Sequence, residues 1–146
     1  MMFMSCSALM GKVLADSGCE SEERIAQVQR AASECRGMQL YVLDCETDAE
    51  YTLTLTEEEA EELQQQICRM QPGPSDDVGD VDPTEIVEVN FLNAEGQCIG
   101  VIDADFVVYE GHPDTDNYSN AFFVLSKQDY KKWRHLIHQA KQRIKP

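Results

Sequence analysis

YTLTLTEEEAEELQQQICRM, residues 51–70, spells out a strand, a cap and a helix in that order. Tyr51, Leu53 and Leu55 alternate with Thr52 and Thr54, as in a strand with one buried face. Thr56 with Glu59 three places on is a capping-box pattern: the hydroxyl accepts from a first-turn amide, and the carboxylate reaches back to the cap's own amide. Beyond the cap, Ala60, Leu63, Ile67 and Met70 recur at helical spacing. The same order returns 70 residues later. Phe123 and Leu125 lead into Ser126, Asp129 stands three places on, and Tyr130, Trp133 and Ile137 take the places of Ala60, Leu63 and Ile67. This spacing predicts two copies of one strand-cap-helix unit. The alternative is two unrelated junctions that share only their cap chemistry.

Around these units the other elements can be read by periodicity. Ile25, Val28, Ala32 and Cys35 predict an amphipathic helix over 20–35, with Ser21 as its cap and Gly37 as its stop. Strands are predicted at 38–43, 51–55 and 85–92, the last with Val87, Val89 and Phe91 on one face. Asn93 to Gly96 is a hairpin turn with Gly96 left-handed, and the return strand over 97–109 bends at Asp103-Ala104-Asp105. A strand at 121–125 and a helix at 127–144 close the chain. The expected class is α+β: an antiparallel sheet of about five strands, with two or three helices packed mainly on one face. Residues 20–146 form a single domain in this reading, preceded by an apolar tail at 1–19 and interrupted by an acidic connector at 71–84.

Charge narrows the range of partners. The 146 residues carry 27 carboxylates against 12 Lys and Arg, a net charge of −15. Residues 127–146 hold seven basic residues against Asp129 alone, or +6, which leaves −21 for residues 1–126. Such a body repels nucleic acid and anionic membrane surfaces and attracts basic proteins. The two repeat helices are opposite in sign, so they attract if they share one face of the sheet, and Lys131, Lys132 and Arg134 are then neutralised from within.

Chemical signatures are few. The six cysteines, at 6, 19, 35, 45, 68 and 98, include no Cys-x-x-Cys pair, and both disulfides and reduced thiols fit their spacing. Asp76, Asp77, Asp80 and Asp82 invite a calcium site but lack EF-hand spacing. His112, Asp114 and Asp116 would converge on a metal only in an extended segment, which Pro113 makes irregular. His135 and His138 lie on the basic helix without a nucleophile in pattern. No catalytic residue, cofactor or metal ligand is therefore assigned, and the chain reads as a non-enzyme.

At the start of the chain, Phe3-Met4-Ser5-Cys6 resembles a bacterial lipoprotein processing site, in which a small residue precedes a cysteine that becomes lipidated. The charged and long apolar parts of such a leader are not in the sequence. The resemblance implies a precursor that begins upstream, with Cys6 as the lipidated mature end and a location in the cell envelope or outside the cell. The functional expectation is a small acidic binding or accessory domain, extracytoplasmic and anchored through Cys6. The alternative is a cytosolic inhibitor or immunity-type protein that neutralises a basic partner.

Overall fold

A computed structural model describes residues 20–73, 84–109 and 123–144. Among these residues the fold is α+β, with three helices, a four-stranded antiparallel sheet and a small mixed sheet. Helix α1 spans Glu20–Glu34 and leads into strand β1, Gly37–Asp44. Strand β2, Ala49–Thr54, returns beside β1 and runs through Leu55 and Thr56 into helix α2, Glu57–Cys68. Strand β3, Gln71–Pro72, follows α2. Strand β4, Glu85–Leu92, turns into β5, Cys98–Asp103, and a short 3-10 turn at Ala104–Phe106 leads to β6, Val107–Tyr109. Strand β7, Phe123–Leu125, feeds helix α3, Lys127–Ile144.

The larger sheet has the order β2-β1-β4-β5, antiparallel throughout. Its alternation buries Met38, Leu40, Val42, Val87, Val89, Phe91 and Ile102 on one face. There they meet Ile25, Val28 and Ala32 of α1, Leu63 and Ile67 of α2, and Trp133, Ile137 and Ala140 of α3 in one core. Burial of this apolar surface, at roughly 25 cal/mol per Å2, is what fixes the helices to the sheet.

Several sequence expectations need correction. The strand before α3 does not join the antiparallel sheet: β7 lies in the second sheet, order β3-β7-β6, parallel to β6 and antiparallel to β3. The return strand bends at Asp103-Ala104-Asp105 as expected, but the chain changes sheets there. Asp103 accepts from the Asp105 amide at 2.9 Å and starts the 3-10 turn, which carries the chain from one sheet to the other. Where the sequence predicts one sheet of about five strands, the described residues form one of four strands and one of three. Helix α1 ends at Glu34, and Gly37 is the first residue of β1 rather than a left-handed stop, while Ser21 falls inside the helix. The hairpin turn is as expected, with Gly96 at φ 79° and its amide on the Asn93 carbonyl at 3.0 Å.

Candidate functional site

The two repeat helices are held together at both ends by their own cap acids. At α2 the capping box is complete: the Glu59 amide donates to Thr56 Oγ1 at 3.1 Å, and the Thr56 amide donates to Glu59 Oε1 at 2.8 Å. The Glu59 carboxylate also receives both Nη atoms of Arg143, at 2.7 and 2.8 Å, from the far end of α3. At α3 the Asp129 amide donates to Ser126 Oγ at 3.1 Å. The Asp129 carboxylate turns to Arg69 at the end of α2, at 2.9 and 3.2 Å. The helices therefore run antiparallel, with Glu59 of the first turn of α2 on Arg143 in the last turn of α3, and Asp129 of the first turn of α3 on Arg69, the residue that caps the end of α2. Arg143 holds the Glu59 carboxyl below its ordinary value, and Arg69 does the same for Asp129.

With these acids paired, the outer residues of the helices face solvent in two fields of opposite sign. Glu57, Glu58 and Glu61 of α2 are exposed and have no ion-pair partner among the described residues. Lys131 and Lys132 of α3 are likewise exposed and unpaired among them, and Arg134 lies over the Tyr130 ring at 5.9 Å. The expected neutralisation of Lys131, Lys132 and Arg134 is thus corrected: Arg69 and Arg143 make the cross-helix pairs.

Two concavities adjoin these fields. Beside the start of α2 is a pocket of about 400 Å3, with Glu57 and Glu61 on its rim, Met38, Leu55 and Ala60 in its lining, and Arg36 as its single cation. A smaller polar pocket of about 180 Å3 lies between α3 and the 3-10 turn. It gathers Glu85, Asp105, Arg134, His138 and Lys141 around Trp133. Lys141 pairs with Glu85 there, and burial pushes the Asp105 carboxyl up, aided by Glu85 and opposed by Lys141 and Arg134. Its acids and cations offset one another, and its lining holds no hydroxyl or thiol.

Cys6, the calcium candidates Asp76, Asp77, Asp80 and Asp82, and the His112, Asp114 and Asp116 set all lie outside the described residues. Cys35, Cys45, Cys68 and Cys98 are free thiols, and burial pushes the Cys35 thiol up, which makes it a poorer nucleophile. His135 and His138 are exposed, and the His138 ring nitrogen sits 3.1 Å from the Gln142 amide. Among the described residues no three His, Cys, Asp or Glu are grouped to hold a metal, and no helix is long and apolar enough to cross a membrane.

Three glutamines escaped sequence reading because their polarity marks them as surface residues. Gln29 donates to the carbonyls of Ile67 and Met70 at 3.0 and 3.1 Å, and Gln64 to that of Ala32 at 2.6 Å, stitching α1 to α2. Gln66 is fully buried, and its Oε1 meets no donor. The sequence marks Asp103 as part of a bend but gives no sign of its burial. Burial first, then Asp105 and Glu88, push its carboxyl up to about 6. Set against protein families, characterised proteins and solved structures, the chain has no match.

Proposed function

We propose that this chain is a non-enzymatic binding module that engages a basic protein partner through the acidic field of α2. The observation that supports it is the pocket at the start of that helix, where Glu57 and Glu61 rim an apolar floor of Met38, Leu55 and Ala60. A lysine or arginine side chain suits such a site, since its methylene stem packs on apolar atoms while its head meets carboxylate. Glu57, Glu58 and Glu59 stand in the first turn of α2, where the helix macrodipole favours negative charge. With a body at −21, encounter with a cationic surface is steered from a distance and weakens as salt shortens the Debye length, to about 8 Å at physiological ionic strength. Both settings drawn from the sequence, an envelope protein anchored at Cys6 and a cytosolic inhibitor, use the same face.

Titration with a lysine-rich peptide, followed by amide chemical shifts, tests this reading. Shifts are expected at Met38 and from Thr56 to Glu61, with binding lost in Glu57→Gln/Glu58→Gln/Glu61→Gln and weakened by salt. A peptide that perturbs these amides no more than those of other acidic segments would overturn it, as would a chain that retrieves nucleic acid or acidic proteins from extract.

A further inference from the structure

The two edges of the four-stranded sheet are finished differently. Edge strand β2 turns Glu50, Thr52 and Thr54 away from the core, a polar finish that discourages pairing with further strands. Edge strand β5 turns out Ile99 and Val101, 39% and 44% exposed, the exposed large hydrophobic residues among those described. Gly100 between them faces the helix layer, where a Cβ would come within 2.5 Å of the Ala31 Cβ, so α1 lies directly against the strand. A groove of about 480 Å3 runs between them. Its helical wall carries Arg24, Gln27, Ala31 and Glu34 in one stripe, with Arg24 at one end, Glu34 at the other and Arg30 alongside.

Both walls are complementary to themselves under a two-fold rotation. Antiparallel pairing centred on Gly100 sets Ile99 opposite Val101 of the second copy on the outer face, with no two like charges opposed, and its regular part ends at Ile99, where a bulge shifts β5 against β4 so that Leu92 pairs with Cys98. The same rotation turns the α1 stripe end for end, bringing Arg24 toward Glu34 of the second copy and Gln27 toward Ala31. We propose that a second copy of this chain docks along β5, continuing the sheet to eight strands across a two-fold axis. Such a contact closes on itself and leaves no free β5 edge. A basic peptide is a poorer occupant, because Arg24 and Arg30, which also make contacts within the chain, line the groove.

Sedimentation of the full chain across a concentration series reads this directly, as a species of twice the 16.5 kDa chain mass. Val101→Lys sits on an exposed position, so it is expected to leave dilute-protein circular dichroism and melting unchanged while weakening self-association at least about tenfold. Arg24→Glu is expected to weaken it too, and Arg24→Glu/Glu34→Arg to restore it, since the swap rebuilds the same pairs in reverse. The proposal is overturned if the wild-type chain stays monomeric up to about 1 mM, the weak end of specific association. It also fails if Val101→Lys associates as tightly as wild type, or if the swap is no tighter than Arg24→Glu alone. Amide protection at Ile99 to Val101 in dilute, monomeric protein would assign the edge to a segment of the same chain and likewise overturn it.

Discussion

Thr56 and Ser126 open helices whose burial agrees position by position from Leu55 to Leu63 and from Leu125 to Trp133, departing later only at Gln64 against Arg134 and Gln66 against Leu136. Yet the strands that feed them stand in different places. One is the edge of an antiparallel sheet, and the other is the middle of a mixed one. The cap and the helical face depend on contacts three and four residues apart, which a sequence repeat carries with it. Strand pairing depends on partners far along the chain, and these differ: β2 follows a short turn from β1, while β7 pairs with the two-residue β3 and with β6. The repeat is therefore a repeat of helix and cap, and of the charge logic that joins them.

The sharpest probe of this equivalence is at the matched core positions 63 and 133. Trp133 is 1% exposed, and Trp133→Ala is expected to cost about 3 to 5 kcal/mol, against about 2 to 5 for Leu63→Ala. Thermal or urea melts of the pair measure it. If Trp133→Ala melts with wild type, α3 does not carry its half of the core and the comparison fails. Next in size is position 66, where α2 buries Gln66 and α3 has Leu136. Gln66→Leu gives the first unit the residue type of the second and removes a buried carbonyl oxygen without a donor. An unsatisfied group of this kind costs about 1 to 3 kcal/mol, so the variant is expected to be more stable by part of that range. A loss of stability in the melt would show that the amide has a use which the second unit lacks.

How far the sequence could be read follows the same division. Apolar residues at 60, 63, 67 and 70 and at 130, 133, 137 and 140 gave both helices and their inner faces, because one side chain in three or four meets the core. The cap residues gave the helix starts for the same local reason. Alternation in 85–92 gave β4, and Asp103-Ala104-Asp105 gave the bend in 97–109, but not that the chain changes sheets there, since that depends on the distant strands that β6 meets. The pocket beside Glu57 and Glu61 also escaped notice, because its floor comes from Met38 on β1 and its rim from α2. The glutamines that join α1 to α2 look like surface residues until the carbonyls they meet are known.

The two cap acids allow a third and finer test. Glu59 serves both the Thr56 amide and Arg143, whereas Asp129 is turned to Arg69, so Glu59→Ala is expected to cost about 1 to 2 kcal/mol and Asp129→Ala about 0.2 to 1. Both carboxyls are held below their ordinary values when folded. Their stabilisation is therefore complete above the usual carboxylate pKa of about 4 and is lost as pH falls through the lowered values. Asp103 runs the other way: its folded pKa of about 6 makes ionisation unfavourable, so the penalty grows as pH rises from about 4 to 6 and is absent below. Asp103→Asn is thus expected to raise the melting temperature at pH 7 more than at pH 4. Equal losses in the two cap variants would reduce the capping box at α2 to a single useful bond and erase the difference between the units.

The smallest effect is expected where sequence reasoning looked for a larger one. Charge alone suggests that Lys131, Lys132 and Arg134 are the cations neutralised by the acidic helix, so replacing all three with Gln should loosen the pair. The structure assigns that task to Arg69 and Arg143, whose guanidinium groups meet Asp129 and Glu59. The triple replacement removes two exposed lysines without ion pairs among the described residues and one arginine over the Tyr130 ring, a contact worth about 0.5 to 1 kcal/mol at an exposed site. Its melting temperature should thus fall little, and with only a slight salt dependence, from the loss of Arg134 near Asp105 and of Lys132 near Asp129. Arg69→Gln/Arg143→Gln should lose more, since each exposed ion pair contributes about 0.2 to 1 kcal/mol and both are bidentate. That loss should shrink as salt is added, because the pairs are open to screening. If the triple variant instead proves the less stable and the more salt-dependent, the clamp is carried by diffuse attraction between the two helix surfaces, and the paired cap acids are incidental to it.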